Sequence, residues 1–401
     1  MAESTRSDRE VIPLRLELRE LLRSKILSSI EELLEAELSE ALGCDRHERT
    51  EERQGYRNGK SERLLTSELG PVRIHVPRGR VAQADGTTSE FRSGVLTRYA
   101  RRTRKVDAAI LGAYLAGANT RRIRRALEPL LGVTNLSRSA ISRVVGRLKG
   151  HFAAWCERDL SGKAYAVLFL DALNLKVRLV RRVVSVPVLA AMGVTEDGQK
   201  ELVALRLVMS EAEANWGELI RSLKAHGLPE PGLLVTDGHA GLRKAIAAWP
   251  GAKVQRCTVH KLANLLEHCP VHARGELRRD YHRIIHARDG LTGREAYDAF
   301  LAKWSRLCPP VARSLEEAGL ALLTFYEYPR SMWKALRSTN AVENLNREFR
   351  RRTKTQGSFS TEASAVTLLF GLVAFGQIGL RKIDGYEALR RMSREVSTTA
   401  A

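Results

Sequence analysis

The sequence predicts an α/β core in its second half, a five-stranded mixed sheet carrying an all-α insertion, behind a mainly helical N-terminal region. Three observations carry this. Ala164 to Leu170 is an unbroken run of apolar and aromatic residues, the pattern of a strand buried on both faces, and Asp171 ends it. Gly232-Leu233-Leu234-Val235-Thr236 repeats that pattern and ends in Asp237. On either side of this stretch the apolar residues recur at helical rather than alternate spacing.

A chain of 401 residues is long enough for two or three units. Lys and Arg number 66 against 46 Asp and Glu, a formal charge of +20, and the isoelectric point is near 10.1. With 44% hydrophobic residues, that balance describes a folded protein with a polyanionic partner. A membrane-surface protein would share the charge, but no signal peptide or lipidation motif is present. The longest apolar run, Ala365 to Leu380, is interrupted by Thr367 and Gln377 and carries three glycines, which suits a core helix rather than a span. Five scattered cysteines, an odd number, fit a reduced cytosolic setting.

In chain order, residues 1–10 are polar and expected to fray. Leu14 to Leu42 reads as a long amphipathic helix ended by Gly43, packing on the body or on a second subunit, so residues 1–45 form the first segment. Residues 46–160 form the second. It holds a basic stretch with Tyr56-Arg57-Asn58-Gly59, then two short strands near Leu64 and from Val72 to Val76 joined at Gly70-Pro71. Pro77 to about Ser93 reads as irregular. A helix from Thr120 to Leu131, a turn over residues 132–136 and a helix capped by Ser137 suggest a helix-turn-helix. Its second helix would present Arg138, Ser139, Ser142 and Arg143, although a solvated basic face gives the same pattern.

Residues 161–258 carry the strands: Tyr165 to Asp171, Leu175 to Val180, Val183 to Val194, the Asp197-Gly198 turn, and Glu201 to Val208. Ser210 and Glu213 offer a capping box for a helix running to about His226. The strand ending at Asp237, a short helix from Gly241 to Trp249 and a last strand from Lys253 to Arg256 follow. Residues 259–337 have helical spacing and read as an insertion. Residues 338–401 begin with a helix near Asn340 and end with an apolar helix from Glu362 to Leu380 that covers the sheet.

A lone strand-end Asp ordinarily caps a turn. Three acids, Asp171, Asp237 and Glu343, on two strand ends and a helix of one proposed domain are more than turn-capping requires. Phosphoryl transfer assisted by two cations needs such a cluster, and hard oxygen donors suit Mg²⁺ or Mn²⁺. The order of strands and helices also resembles the ribonuclease-H-like fold, with one acid on the first strand and one just after the fourth.

Leu170-Asp171-Ala172, Thr236-Asp237-Gly238, Arg256-Cys257-Thr258-Val259-His260 and Ser338 to Asn346 resemble the Mutator-type bacterial insertion-sequence transposases. So do Tyr56 to Gly59, Val76-Pro77-Arg78 and Arg351 to Lys354, and the similarity runs from about residue 40 to about residue 395. The resemblance implies a DDE transposase that binds the terminal inverted repeats of its element, cuts by hydrolysis and joins the freed 3′-hydroxyl to a second phosphodiester. It assigns the acids to Asp171, Asp237 and Glu343 and implies two Mg²⁺ or Mn²⁺ ions, double-stranded DNA partners (element ends and target), a homodimer and a place in the bacterial cytoplasm with the nucleoid. Ala263 departs from the basic residue of many relatives, so no DNA contact is assigned there.

Cys257 and His260 match the family's Cys-x-x-His signature and, with Asn340, are auxiliary candidates; a packed thiol beside a histidine accounts for the pair equally. Cys269 and His272 add a second pair, which raises zinc as an alternative, though the spacing is loose and Pro270 interrupts it. Arg57, Arg78, Arg121, Arg138 and Arg143, with Arg350, Arg351, Arg352 and Lys354 after the helix of Glu343, are the candidate DNA contacts. Trp333 is a stacking candidate, with a core role as the plainer one. Two other functions fit parts of the pattern, a ribonuclease-H-like nuclease on branched DNA and a DNA-binding protein with an inactive site.

Overall fold

The computed structural model describes residues 4–48, 50–51, 53–68, 70–131, 136–179, 181–354, 359 and 361–391. The chain divides into two compact units, Met1–Gly146 and Arg147–Ala401.

Unit 1 opens with α1 (Ser4–Leu42), which begins inside the stretch expected to fray and stops at Gly43, whose φ is 62°. Next come β1 (Gly55–Ser67), β2 (Gly70–Ala82) and β3 (Thr88–Glu90), an antiparallel sheet in the order β1-β2-β3. A sheet therefore interrupts the helices of this region, the first two strands are longer than expected, and Pro77 to Ala82 is strand rather than irregular. Val72, Ile74 and Val76 point inward while Arg73 and His75 point out, but the dense charge on the outer face masked how far the alternation runs. Leu34 packs with Leu65, Val72, Ile74 and Val76. Gly79 lets α1 approach, since a Cβ there would lie 2.7 Å from the Leu38 side chain.

Three helices complete the unit: α2 (Arg104–Leu115), α3 (Thr120–Leu131) and α4 (Arg138–Cys156), the last running on past the unit boundary. Val106, Ile110, Ile123, Leu127, Ile141 and Val144 give them one core. The Ser137 hydroxyl accepts from the Ala140 amide at 3.1 Å, the expected cap of α4. Of the expected turn between α3 and α4, residues 132–135 lie outside the described residues.

Unit 2 is built on β4 (Tyr165–Leu179), β5 (Arg182–Thr195), β6 (Lys200–Leu207), α5 (Glu213–Ala225), β7 (Leu233–Thr236), α6 (Ala240–Ala245) and β8 (Lys253–Arg256). The sheet order is β6-β5-β4-β7-β8, with β4, β5 and β6 antiparallel and β7 and β8 parallel to β4. This mixed five-stranded arrangement is that of the ribonuclease-H-like fold. Asp171 does not end its strand, because β4 is one element where two were expected. Beyond Asp171 one face becomes solvated, so Leu173, Leu175 and Val177 alternate with exposed Asn174, Lys176 and Arg178. The Ser210–Glu213 capping box does not form: Ala212 is the N-cap of α5, and the Ser210 carbonyl instead accepts from Asn215 Nδ2 at 2.8 Å.

Between β8 and the helix of Glu343 lie α7 (Thr258–His268), α8 (Arg274–Ile285), α9 (Gly290–Leu307), α10 (Pro309–Ala318) and α11 (Trp333–Leu336). Leu277, Tyr281, Phe300, Trp304 and Leu315 form a core among them. Trp333 stands edge-on to Phe325 and Tyr326 and donates to the Tyr328 carbonyl at 2.6 Å, a packed role rather than a stacking one. Then come α12 (Asn340–Thr353) and α13 (Glu362–Ala374), which has a capping box of Thr361 and Ser364. α13 stops short of Leu380, and Gly376 follows with φ 68°. Among the described residues no helix is long and apolar enough to cross a membrane.

Candidate active site

The register of the sheet places the first two acids. β7 pairs with β4 in parallel from Val167↔Leu233 to Leu170↔Thr236, so Asp171 and Asp237 are each the next residue along neighbouring strands. Parallel strands sit about 4.8 Å apart, which brings the two carboxylates to one edge. Asp171 faces the side of the sheet covered by α12, where Asn346 Nδ2 donates to its Oδ2 at 2.8 Å. Only 7% of Asp171 is exposed. Burial first, and then the charge of Asp237, push its carboxyl up to about 7, with Glu343 adding to the rise.

Asp237 begins a tight loop in which its Oδ1 accepts from the His239 amide at 2.9 Å. Gly238 follows with φ 82°, and a Cβ there would fall 1.9 Å from the Arg256 guanidinium. Arg256 is thus packed directly on the loop that carries the acid. Its guanidinium bonds Glu317 of α10 at 3.1 Å. Lys261 Nζ at 2.8 Å and Arg243 Nη1 at 2.6 Å bond the same carboxylate. Burial alone would raise Glu317, but the bonds from Arg256 and Lys261 pull it down to about 2.

Glu343 lies in the first turn of α12, where its Oε1 accepts from the Thr339 hydroxyl. Buried Thr339 is a hub: its Oγ1 also lies 3.3 Å from Cys257 Sγ and 3.3 Å from His260 Nδ1. Cys257, His260 and Glu343 hold their donor atoms within 4.8 Å of one another, and Asp171 and Asp237 lie outside that tight group. Burial works to raise the Cys257 thiol, but hydrogen bonds from His260 and Thr339 outweigh it and its pKa is lowered. His260 is raised to about 9, first by its bond to Cys257, with burial opposing. The four-residue zinc alternative does not assemble, since Cys269 and His272 are not part of this group among the described residues. Asn340 opens α12 with its side chain exposed.

A divalent cation fits this edge on two observations. Like charges crowd Asp171 without full compensation, and Asn346 Oδ1 is buried with no hydrogen-bond partner among the described residues. Oxygen donors of this kind suit a hard ion.

The candidate DNA residues are scattered. The Arg57 guanidinium is bonded inside unit 1, to Glu35 at 3.1 Å, Ser39 Oγ at 2.7 Å and the Cys44 carbonyl at 3.2 Å. Arg78, Arg121, Arg138 and Arg143 are exposed on unit 1, and Arg350 and Lys354 on unit 2. Arg351 pairs with Glu348, and Arg352 donates to the Gln377 carbonyl at 3.3 Å. Sequence reasoning missed the roles of Thr339, Asn346, Arg256 and Glu317. Asn346 was findable, since it stands three residues after Glu343 on one helix face. Glu317 had no signal, because its partners come from three other elements.

Comparison with known proteins completes the picture. The profile of the family described as "Transposase, Mutator family" matches residues 4–376. The transposase for insertion sequence element ISRM5 of Rhizobium meliloti (strain 1021) is 36% identical over 352 residues, 88% of this chain and 86% of that protein. The transposase for IS1081 of Mycobacterium tuberculosis is 34% identical, covering 95% of this chain and 91% of its own. The transposase for IS256 in transposon Tn4001 of Staphylococcus aureus is 32% identical, covering 84% and 85%. The chain belongs to the Mutator family of transposases.

Proposed function

We propose that the chain cleaves DNA at the terminal inverted repeats of an insertion sequence and transfers the freed strands to target DNA. The observation that carries this is the β4–β7 register, which sets Asp171 and Asp237 side by side beneath α12 and Glu343. Asp171, Asp237 and Glu343 are the residues that would hold two Mg²⁺ or Mn²⁺ ions. When bound, such ions stabilise the charge on the attacking and leaving oxygens of phosphodiester hydrolysis and transesterification. Asn346 orients the Asp171 carboxylate, and Thr339 holds Glu343 in one rotamer. His260, cationic at neutral pH, offsets part of the negative field and is placed to meet a phosphate oxygen. Arg256 backs the Asp237 loop through Gly238.

The partners in this reading are duplex DNA and a second copy of the chain. The apolar residues Leu18, Leu21, Leu22 and Ile26 of α1, all exposed, support the latter. Asp171→Ala, Asp237→Ala and Glu343→Ala should each abolish cleavage and joining of a terminal-repeat duplex while leaving binding to it intact. Strand cleavage near the wild-type rate by Glu343→Ala would reject the triad, with Glu348 next to test.

A further inference from the structure

Unit 1 contains a basic groove of about 760 Å³. β1 and β2 supply Arg63 and Arg78, the segment after β3 supplies Arg98, Arg101 and Arg102, and α4 supplies Arg143 near its start. Among the described lining residues Glu90 is the one acid, and it pairs with Arg98 at 3.1 Å. Arg102 pairs with Asp107 at 2.7 Å. Among the described residues no carboxylate pairs with Arg63, Arg78, Arg101 or Arg143. Arg63 Nη1 is buried without a hydrogen-bond partner, a costly state for a charged donor.

Tyr99 stands in the same groove, 81% exposed, with the Arg98 guanidinium 5.5 Å from its ring centroid. Its φ is 76°, a left-handed backbone that crowds the Cβ of any residue other than glycine. The segment that follows it is tied to β1, because the Thr66 amide donates to the Arg101 carbonyl at 2.8 Å and the Thr103 amide to the Thr66 carbonyl at 3.0 Å. Unneutralised cations, an orphaned donor and a strained, presented aromatic ring all open on one space.

We propose that this groove grips one phosphodiester strand of duplex DNA, with Tyr99 laid against its sugars and the start of α4 entering the adjacent major groove. The arginines come from four chain segments, which suits an extended polyanion better than a single anion. The helical hairpin of α3 and α4 would then read bases while the sheet holds the backbone. The proposal rests on the reading of this chain as a DNA-acting enzyme and locates where its duplex is held.

The test uses the full chain and fluorescence anisotropy on two duplexes, a terminal repeat and a random sequence, across a salt series. Arg101→Gln and Arg143→Gln, both at exposed positions, should weaken binding to both duplexes. Each should reduce the slope of log K against log salt by about 0.9. Arg101→Lys should restore the slope. Tyr99→Ala should weaken binding without changing the slope, and Glu90→Gln should tighten it. Melting curves confirm that the variants fold. A wild-type chain that binds with a steep salt dependence, matched by both Arg→Gln variants, would overturn the groove and leave the DNA reading standing. A wild-type chain that binds neither duplex would overturn both.

Discussion

Asp171 and Glu317 are carboxylates of unit 2, the first buried and the second partly so, and their neighbours drive them in opposite directions. Around Glu317 stand three cations, Arg243, Arg256 and Lys261, and the carboxyl falls to about 2. Around Asp171 stand two more acids, with His260 as a partial offset, and the carboxyl rises to about 7. Burial acts in the same sense on both, so the sign of the neighbouring charge decides the outcome. The Glu317 cluster is balanced within the chain and ties α6, β8, α7 and α10 together. The Asp171 cluster is left short of positive charge, as a site made for a cation should be.

The sharpest way to break this contrast is Asp171→Asn. Cleavage of a terminal-repeat duplex should fall to background, while the melting temperature in EDTA should rise by a few degrees because a disfavoured buried charge has gone. A lower melting temperature would mean that the site is not strained by its own charges. Asn346→Ala should come next, reducing cleavage about 10–100-fold, the usual effect of losing a partner that orients a metal ligand. An unchanged rate at saturating Mg²⁺ would remove Asn346 from the site. Glu317→Gln should do the reverse of Asp171→Asn, destabilising the fold by about 1–3 kcal/mol after allowance for its partial exposure. Urea unfolding measures this, and a neutral result would show that the three cations do not need their acid.

The smallest effect is in the pH dependence, and the two windows have opposite signs. The folded chain keeps a proton on Asp171 that the unfolded chain has lost, so its stabilising contribution is complete below about 4 and is lost as the pH rises through about 7. Glu317 contributes above about 4.5, and that contribution is lost as the pH falls through about 2. Unfolding curves in EDTA should lose the first slope in Asp171→Asn and the second in Glu317→Gln.

The sheet was legible because apolar runs such as Val167 to Leu170 and Leu233 to Val235 fit a strand buried on both faces and little else. The full length of β1 and β2 was not: the turn at Gly70-Pro71 and the stretches near Leu64 and from Val72 to Val76 were foreseen, but the unbroken polar run from Arg57 to Arg63 hides the rest of β1. Asp171 and Asp237 stood out because each follows a buried apolar run. Glu343 stood out less, for it lies on a helix rather than after such a run, and the resemblance is what sets it apart from Glu348. Arg57, a DNA candidate from its basic motif, bonds Glu35 and Ser39, which lie 22 and 18 positions away, and no local pattern encodes those partners. Thr339 acts through a thiol and an imidazole that lie 82 and 79 positions away, and no local pattern encodes that.

The bond between Asn346 and Asp171 spans 175 positions, and that distance has a meaning in time. At about 5–20 residues per second, synthesis needs roughly 10–35 s to travel from one to the other. Throughout that interval the nascent sheet carries two acids without the helix that completes them. A polypeptide stopped before α12 keeps both strand acids and the arginines of unit 1, but not Glu343 or Asn346. If Glu343 is the third acid, as proposed, a ribosome that stalls before α12 should release a product unable to cut.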